Sequence, residues 1–476
     1  MLTGDPLTDL LFGLPTFTTV ASLDNPQNLR TESYAAFVQD DIDLRPDLTL
    51  SLGLRYEVIS PPVDVDDRAT LYDPAAGQVG AVGTGGLPRA GYEADRNNWA
   101  PRLGVAWAPG DGATVVRAAY GIHYNASALA PSEGLYFNAP YFALQAFFPT
   151  ASAPLFIDNP FPQGAGFFPQ SGTAFQRDLR TPYLHQFNVN VQRQLGPSRV
   201  VEAAYVGSRG RNLIAGRDLN QPAPSAQPLN LRPNPMFGDI TFIESRARSR
   251  YDSLQLRFEQ RLDQGLTMLA AYTLGRSRDD ASAFFPSGGD PNFPQDSNNP
   301  AAEWGRSNFD VRHRVSVSLS QELPWEMQVA GVVTLQSGRP FTVALLPEVD
   351  NSNTGRSALG FGANDRPNVA GEASIGDPSP DRWFDTAAFS MPAFGTFGSA
   401  GRNILEGPGY ANVNVAVIKH VPFGAGPRLQ LRAEAFNLFN RANFDLPDNY
   451  FGSPTFGQVL SAGPPRRVQL GARLLF

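Results

Sequence analysis

Arginines and glutamates recur two residues apart in this 476-residue chain: Arg55 with Glu57, Arg257 with Glu259 and Arg261, and Arg432 with Glu434. Residues two apart on a strand project from the same face. With Arg117 and Arg473, they would form ladders of charge along one side of a sheet. Such ladders can guide an anionic solute, or they can be solvated, mutually paired charge with no further role. No enzymatic constellation accompanies them. The histidines, His123, His185, His313 and His420, lack a metal-ligand spacing such as H-E-x-x-H and read as polar residues on strands. Asp40 and Asp41 cannot be a catalytic pair, because strand neighbours point to opposite faces. Asp66–Asp67 and Asp279–Asp280 read as solvated rim and loop residues. Asp279–Asn299 and Asp350–Asn368 are rich in Asp, Asn and Gly but lack the spacing of a calcium loop, and turn chemistry accounts for them. There is no cysteine, which removes disulfides, thiolate metal sites and cysteine nucleophiles. The expectation is a non-enzyme with no cofactor and no metal.

The elements that would position these charges are strands. Charged residues make up 17% of the chain, below the usual quarter, while Gly and Pro number 45 and 42, which implies many turns and long connections. A net charge of −7 gives no reason to expect nucleic acid. The uncharged run Gly134–Ile157 contains Pro140, Pro149 and Pro154 and reads as a loop rather than a membrane helix. The amino terminus has no basic n-region and carries Asp5 and Asp9, unlike a signal peptide.

Period-two alternation runs through the whole length. Leu50, Leu52 and Leu54 oppose Ser51, Gly53 and Arg55; Leu254, Leu256 and Phe258 oppose Gln255, Arg257 and Glu259. The pattern predicts strands at Tyr34–Leu44, Leu48–Val58, Trp99–Ala108, Thr114–Tyr124, His185–Leu195, Val200–Arg209, Asp252–Leu262, Leu266–Ser277, His313–Leu323, Met327–Ser337, Ala411–Val421, Arg428–Phe439 and Arg467–Phe476. Each has the length that a tilted strand needs to cross a bilayer. The connections alternate strictly. Short ones such as Arg45–Asp47 and Gly196–Arg199 are turn-like. The long ones are Ile59–Asn98, Asn125–Leu184, Gly210–Tyr251, Arg278–Arg312, Gly338–Tyr410 and Asn440–Arg466. Loops of that length argue against a compact soluble domain but are normal in an outer-membrane barrel, with short periplasmic turns and long external loops.

The last strand completes the pattern. Val468, Leu470, Ala472, Leu474 and Phe476 share one face, with Arg467, Gln469, Gly471 and Arg473 opposite. It reads as the terminal strand by which a barrel enters the membrane. Tyr56, Trp99, Trp107, Tyr120, Tyr124, Tyr205, Tyr272, Trp325, Phe436 and Phe439 sit near strand ends, as interface girdles require. The fold class is therefore all-β: a transmembrane antiparallel up-and-down β-barrel of about 13–16 strands. Bacterial barrels have even strand numbers, so the odd count of thirteen points to a missed strand near Tyr141–Phe148 or Phe341–Leu345, or to a strand before Met1.

The chain resembles the barrel of the Oar-like TonB-dependent outer-membrane transporters, a carboxypeptidase-regulatory-like/TonB-dependent receptor family. The segments that carry the likeness include Y-A-A-F-V-Q-D-D-I-D-L-R-P-D-L-T-L-S-L-G-L-R-Y-E at Tyr34–Glu57, A-Y-V-G-S-R-G at Ala204–Gly210, Y-D-S-L-Q-L-R-F-E-Q-R-L at Tyr251–Leu262, F-D-V-R-H-R at Phe309–Arg314, and L-R-A-E-A-F-N-L-F-N-R-A-N-F at Leu431–Phe444. The resemblance implies a barrel of about 22 strands holding a plug. On it, residues 34–476 are the carboxyl-terminal portion of that barrel, residues 1–33 are the remnant of an extracellular loop, and the plug is absent. It implies the cell outer membrane with a periplasmic carboxyl terminus, and uptake of a solute too large for porins. The implied partners are outer-membrane lipid and lipopolysaccharide, the barrel-insertion machinery, and the TonB system only where a plug and TonB box lie upstream. A passive porin-like or surface-interaction barrel without energy coupling is the alternative.

Overall fold

The computed structural model describes residues 5–476 apart from 25, 126–128, 148, 150–154, 163–169, 228–230, 264, 285–292, 356–364 and 425. Parts of the two Asp/Asn/Gly-rich stretches, at 285–292 and 356–364, therefore lie outside the described residues.

Thirteen strands run in one hydrogen-bonded path in chain order. They are β1 (Ser33–Arg45), β2 (Leu48–Ile59), β3 (Trp99–Trp107), β4 (Thr114–Tyr124), β5 (Tyr183–Gln194), β6 (Arg199–Asp218) and β7 (Phe237–Asp263). They continue as β8 (Leu266–Asp279), β9 (His313–Leu323), β10 (Met327–Gln336), β11 (Tyr410–Pro422), β12 (Arg428–Phe436) and β13 (Arg467–Leu475). Every neighbouring pair is antiparallel, the up-and-down order expected of such a wall. Tight turns join the strands at one end. Gly196 and Gly265 take left-handed φ of 75° and 77° there, which a side chain would strain.

Strands do form where a missing one was suspected, but not in the wall. Phe142–Phe147 pairs with Thr18–Leu23, Pro340–Phe341 with Leu405–Glu406, and Ala344–Leu345 with Tyr450–Phe451. Among the described residues the path stays at thirteen.

Register makes the period-two pattern a property of the whole sheet. Arg55 faces Ala100, Arg117 faces Asn190, Glu202 faces Arg257, and Arg432 faces Gly471, so the polar residues of successive strands share one side. Leu52, Leu54, Val189, Val191, Leu254, Leu256, Val468 and Leu470 occupy the other side and are exposed. A large exposed apolar face is what a lipid-facing wall presents.

Three expectations need correction. First, β6 and β7 run 20 and 27 residues, far past the predicted ends, and much of Gly210–Tyr251 is a ribbon rather than a loop. The added strand Gln170–Phe175 pairs with it in parallel, and Ala215, Ile240, Ile243 and Ala247 are buried. Segments pack on the ribbon around Ala215, Ile240, Ile243 and Ala247, so the alternation that marks the wall strands fades there. Second, the described parts of the long connections pack into cores of their own. Leu71, Val82, Tyr92, Leu135, Tyr136 and Phe175 form one core, and Phe341, Val343, Phe384, Phe389 and Leu405 form another, backed by Leu446 and Phe456. Burial on this scale stabilises by roughly 1.5–3 kcal/mol per large side chain, which offsets the entropy of ordering such loops. Third, Phe436 is not a girdle ring. It lies on the polar face opposite Arg467, whose guanidinium sits 5.0 Å from the ring centre.

Candidate functional site

The polar face of the sheet carries the charges singled out in the sequence, and most are paired along their own strand. Arg55 meets Glu57 at 3.0 Å. Glu259 holds Arg257 at 2.7 Å and Arg261 at 2.9 Å, one carboxylate between two guanidinium groups. Arg432 meets Glu434 at 2.7 Å. Arg117 donates to Gln192 Oε1 at 2.8 Å across to β5. Arg473 lies opposite Gln430 and carries no ion pair among the described residues. The structure adds Glu202, which reaches Arg257 at 3.8 Å and accepts from Asn190 at 2.5 Å. Glu202 is hidden in V-V-E-A-A-Y because that run lacks a clean polar alternation; only the β6–β7 register identifies it.

Five of the nine charges come together. Arg257, Glu259, Arg261, Arg432 and Glu434 line a trough of about 550 Å³, with Ser318, Ser320 and Asn414 between them. Arg55, Glu57 and Arg117 stand on β2 and β4, and Arg473 on β13, outside it. The five form a hydrated, amphoteric lining with one more arginine than glutamate. Val468, Leu470, Ala472 and Leu474 share the opposite face of β13, and Phe476 follows the strand, 99% exposed.

The long connections hold buried charge, against the reading of Asp279 and Asp280 as solvated. Asp279 meets Arg402 at 2.5 Å, with each side chain 2% exposed, and Arg402 also donates to the carbonyls of Asp279 and Glu303. Glu303 meets Arg366 at 2.5 Å, again buried on both sides. These pairs tie the β8–β9 connection to the β10–β11 connection. Asp280 pairs with Arg248 at 3.7 Å, and burial raises its pKa above the usual carboxylate value. Burial likewise raises Asp218, although Arg232 lies 2.8 Å away. Asp64 goes the other way. Burial works to raise it, but Tyr136 Oη at 2.6 Å and the backbone N–H groups of Asn28, Asp66 and Arg68 outweigh that and hold it below the usual range. Among the described residues no group of three or more His, Cys, Asp or Glu is placed to hold a metal.

A second cavity lies among these connections and was not legible in the sequence. It measures about 330 Å³ and is walled by Phe137, Phe142, Phe284, Phe293 and Ile243, with Glu133 at the rim. Phe137 and Phe142 meet edge to face at 5.3 Å, and the Phe284 and Phe293 rings lie tilted at 6.4 Å. The Glu133 side chain makes no capping hydrogen bond to the short helix that follows it. The wall is drawn from β7 and from two connections more than a hundred residues apart, so no local spacing announces it.

The open-faced antiparallel wall and its folded connections agree with the comparison by family. A family model described as an outer membrane beta barrel domain matches residues 1–469. The chain belongs to the outer membrane beta barrel domain family. No curated relative matches it. Among solved structures, the barrel is similar to the outer membrane transporter YddB from Escherichia coli at a TM-score of 0.50 and 11% identity, over 92% of this chain and 44% of that one. It also aligns with the ferripyoverdine receptor of the outer membrane of Pseudomonas aeruginosa at 0.47 and 12%, over 93% and 38%. A third match is the FrpB iron transporter from Neisseria meningitidis (F3-3 variant) at 0.47 and 12%, over 94% and 46%. At such identities the likeness speaks to fold alone. The chain spans less than half the length of each of these proteins.

Proposed function

We propose that this chain is wall and extracellular head of an Oar-like TonB-dependent transporter, taking up a solute too large for porins. One observation carries the reading: an up-and-down sheet, polar on one face and apolar on the other, has tight turns at one end and folded, pocketed connections at the other. In this reading the tight turns and Phe476 are periplasmic and the apolar face of β13 meets lipid and the insertion machinery. The polar face is lumen, where Arg55, Glu57, Arg117, Arg257, Glu259, Arg261, Arg432, Glu434 and Arg473 line the solute path or meet a plug. The plug, the TonB box and the rest of a wall of about 22 strands belong to the complete transporter, and the TonB system is a partner only with them. The Phe-walled cavity is the first capture point: an apolar pocket with a few convergent polar groups is the usual form of a ligand site. No step of bond chemistry is assigned to any residue.

The pairing of seven of these nine charges also suits a hydrated passive pore. Planar-bilayer recordings in KCl separate the two. A plugged, energised transporter gives no persistent open channel, whereas steady ungated conductance from the complete protein would establish the passive pore.

A further inference from the structure

The apolar face carries its own array of arginines, at the long-connection ends of β5–β8. His185, Arg209, Arg250 and Arg278 are successive cross-strand partners on that face. Phe187, Gly207, Asp252 and Arg276 form the next row down, and Val189, Tyr205, Leu254 and Leu274 the row below. Adjacent strands lie about 4.8 Å apart, so three arginine positions stand directly side by side. Like charges in direct opposition destabilise a sheet unless something anionic joins them. Asp252 supplies one answer, taking Arg209 and Arg250 at 2.7 Å each. Arg276 is exposed and has no ion pair among the described residues. Arg278 keeps a buried Nε without a hydrogen-bond partner, and its guanidinium lies 5.8 Å from the Trp304 ring centre. Arg248 covers the same ring at 4.9 Å and reaches Asp280 at 3.7 Å. Five arginines thus face two carboxylates, in a chain whose net charge is −7.

The setting selects the partner. Two hydrogen-bonded Tyr–His pairs flank the rows, Tyr120 with His185 and Tyr272 with His313, each at 2.8 Å. Amphipathic rings of this kind mark the depth of lipid headgroups. The arginines stand one side-chain step above an apolar face, so a soluble anion would satisfy only half of the surface. A lipid with acyl chains on the Val189–Leu274 row and phosphate at the arginines satisfies both. The guanidinium fork matches phosphate oxygens in bidentate fashion. Several adjacent arginines favour a headgroup with more than one phosphate.

We propose that Arg250, Arg276 and Arg278, with Arg248 and Trp304 behind them, bind the phosphates of a lipopolysaccharide molecule in the outer leaflet. The proposal rests on the reading that the long connections face outward, but not on transport. The test is native mass spectrometry of the complete protein in detergent, titrated with lipopolysaccharide, dephosphorylated lipopolysaccharide and phosphatidylglycerol. The R276Q/R278Q variant is expected to weaken lipopolysaccharide binding about tenfold or more, the scale of losing charge-assisted contacts. R261Q, on the polar face, is expected to leave it unchanged. Equal binding by R276Q/R278Q and the parent overturns the proposal. So does equal binding of the dephosphorylated form, or of phosphatidylglycerol. An unchanged heat shift of the variant in gels shows that its wall is intact. Lipopolysaccharide binding with failed import would sink the transporter reading and leave this one standing.

Discussion

Asp279 and Arg402 are the residues whose loss should cost most outside the wall. Arg402→Ala leaves a buried carboxylate without its partner, which typically costs about 3–5 kcal/mol. Limited proteolysis of the complete protein should therefore cleave the β8–β9 and β10–β11 connections far faster in this variant, while the heat shift of the wall stays unchanged. Asp64 gives a pH-dependent effect. Its pKa lies below the ordinary 3.8, so its contribution is complete above that value and is lost as pH falls through the lowered folded value. Tyr136→Phe removes the side-chain donor, costs about 1–3 kcal/mol and moves acid opening of that core to higher pH. Hydrogen exchange of residues 64–72 against pH reads this directly; unchanged protection in the variant would refute the role given to Tyr136. Asp218 and Asp280 have the opposite sign: their pKa values are raised, so ionisation costs the folded state and mild acid relieves it.

At the scale of the element, β13 offers the sharpest contrast. Leu470 is 79% exposed on the apolar face, and Gln469 lies beside it on the polar face. Leu470→Arg puts a guanidinium into lipid at a cost of about 2–4 kcal/mol near the bilayer midplane, whereas Gln469→Arg costs little. The fraction of the complete protein reaching the heat-shiftable state in outer membranes should drop sharply for the first and stay level for the second. Equal behaviour would mean that this face does not meet lipid. The wall strands were legible because lipid on one side and water on the other impose strict alternation, so periodicity located all but β6 and β7 within a few residues of both ends. The extended ribbon of β6 and β7 was not, since R-A-R-S-R-Y at Arg246–Tyr251 gives no sign of which side is apolar. Its sides are defined by segments that fold back onto it.

The whole molecule leaves β1 and β13 at the two ends of the path, and among the described residues neither has a further strand beside it. Thirteen antiparallel strands put these two ends in the same direction, so a direct seam would be a parallel pair. Unpaired backbone N–H and C=O groups in hydrocarbon cost several kcal/mol each, so the wall must be completed. If the remaining strands come from the complete transporter, these 476 residues expressed alone behind a signal peptide should show no compact unheated band in gels. A heat-modifiable band from this chain alone would mean that β1 and β13 close on each other and would favour an autonomous pore.

The sequence by itself determined where the wall strands lie, their alternation with tight turns and long connections, and the polar or apolar identity of each face. Those are local properties, written by a period of two and by turn chemistry. Only tertiary structure decided which charges meet: Glu202 with Arg257, Asp279 with Arg402, Arg209 beside Arg250 and Arg278. Only it built a cavity from Phe137 and Phe293. Such contacts depend on register and on the packing of segments a hundred residues apart, and no spacing along the chain encodes a distance through space.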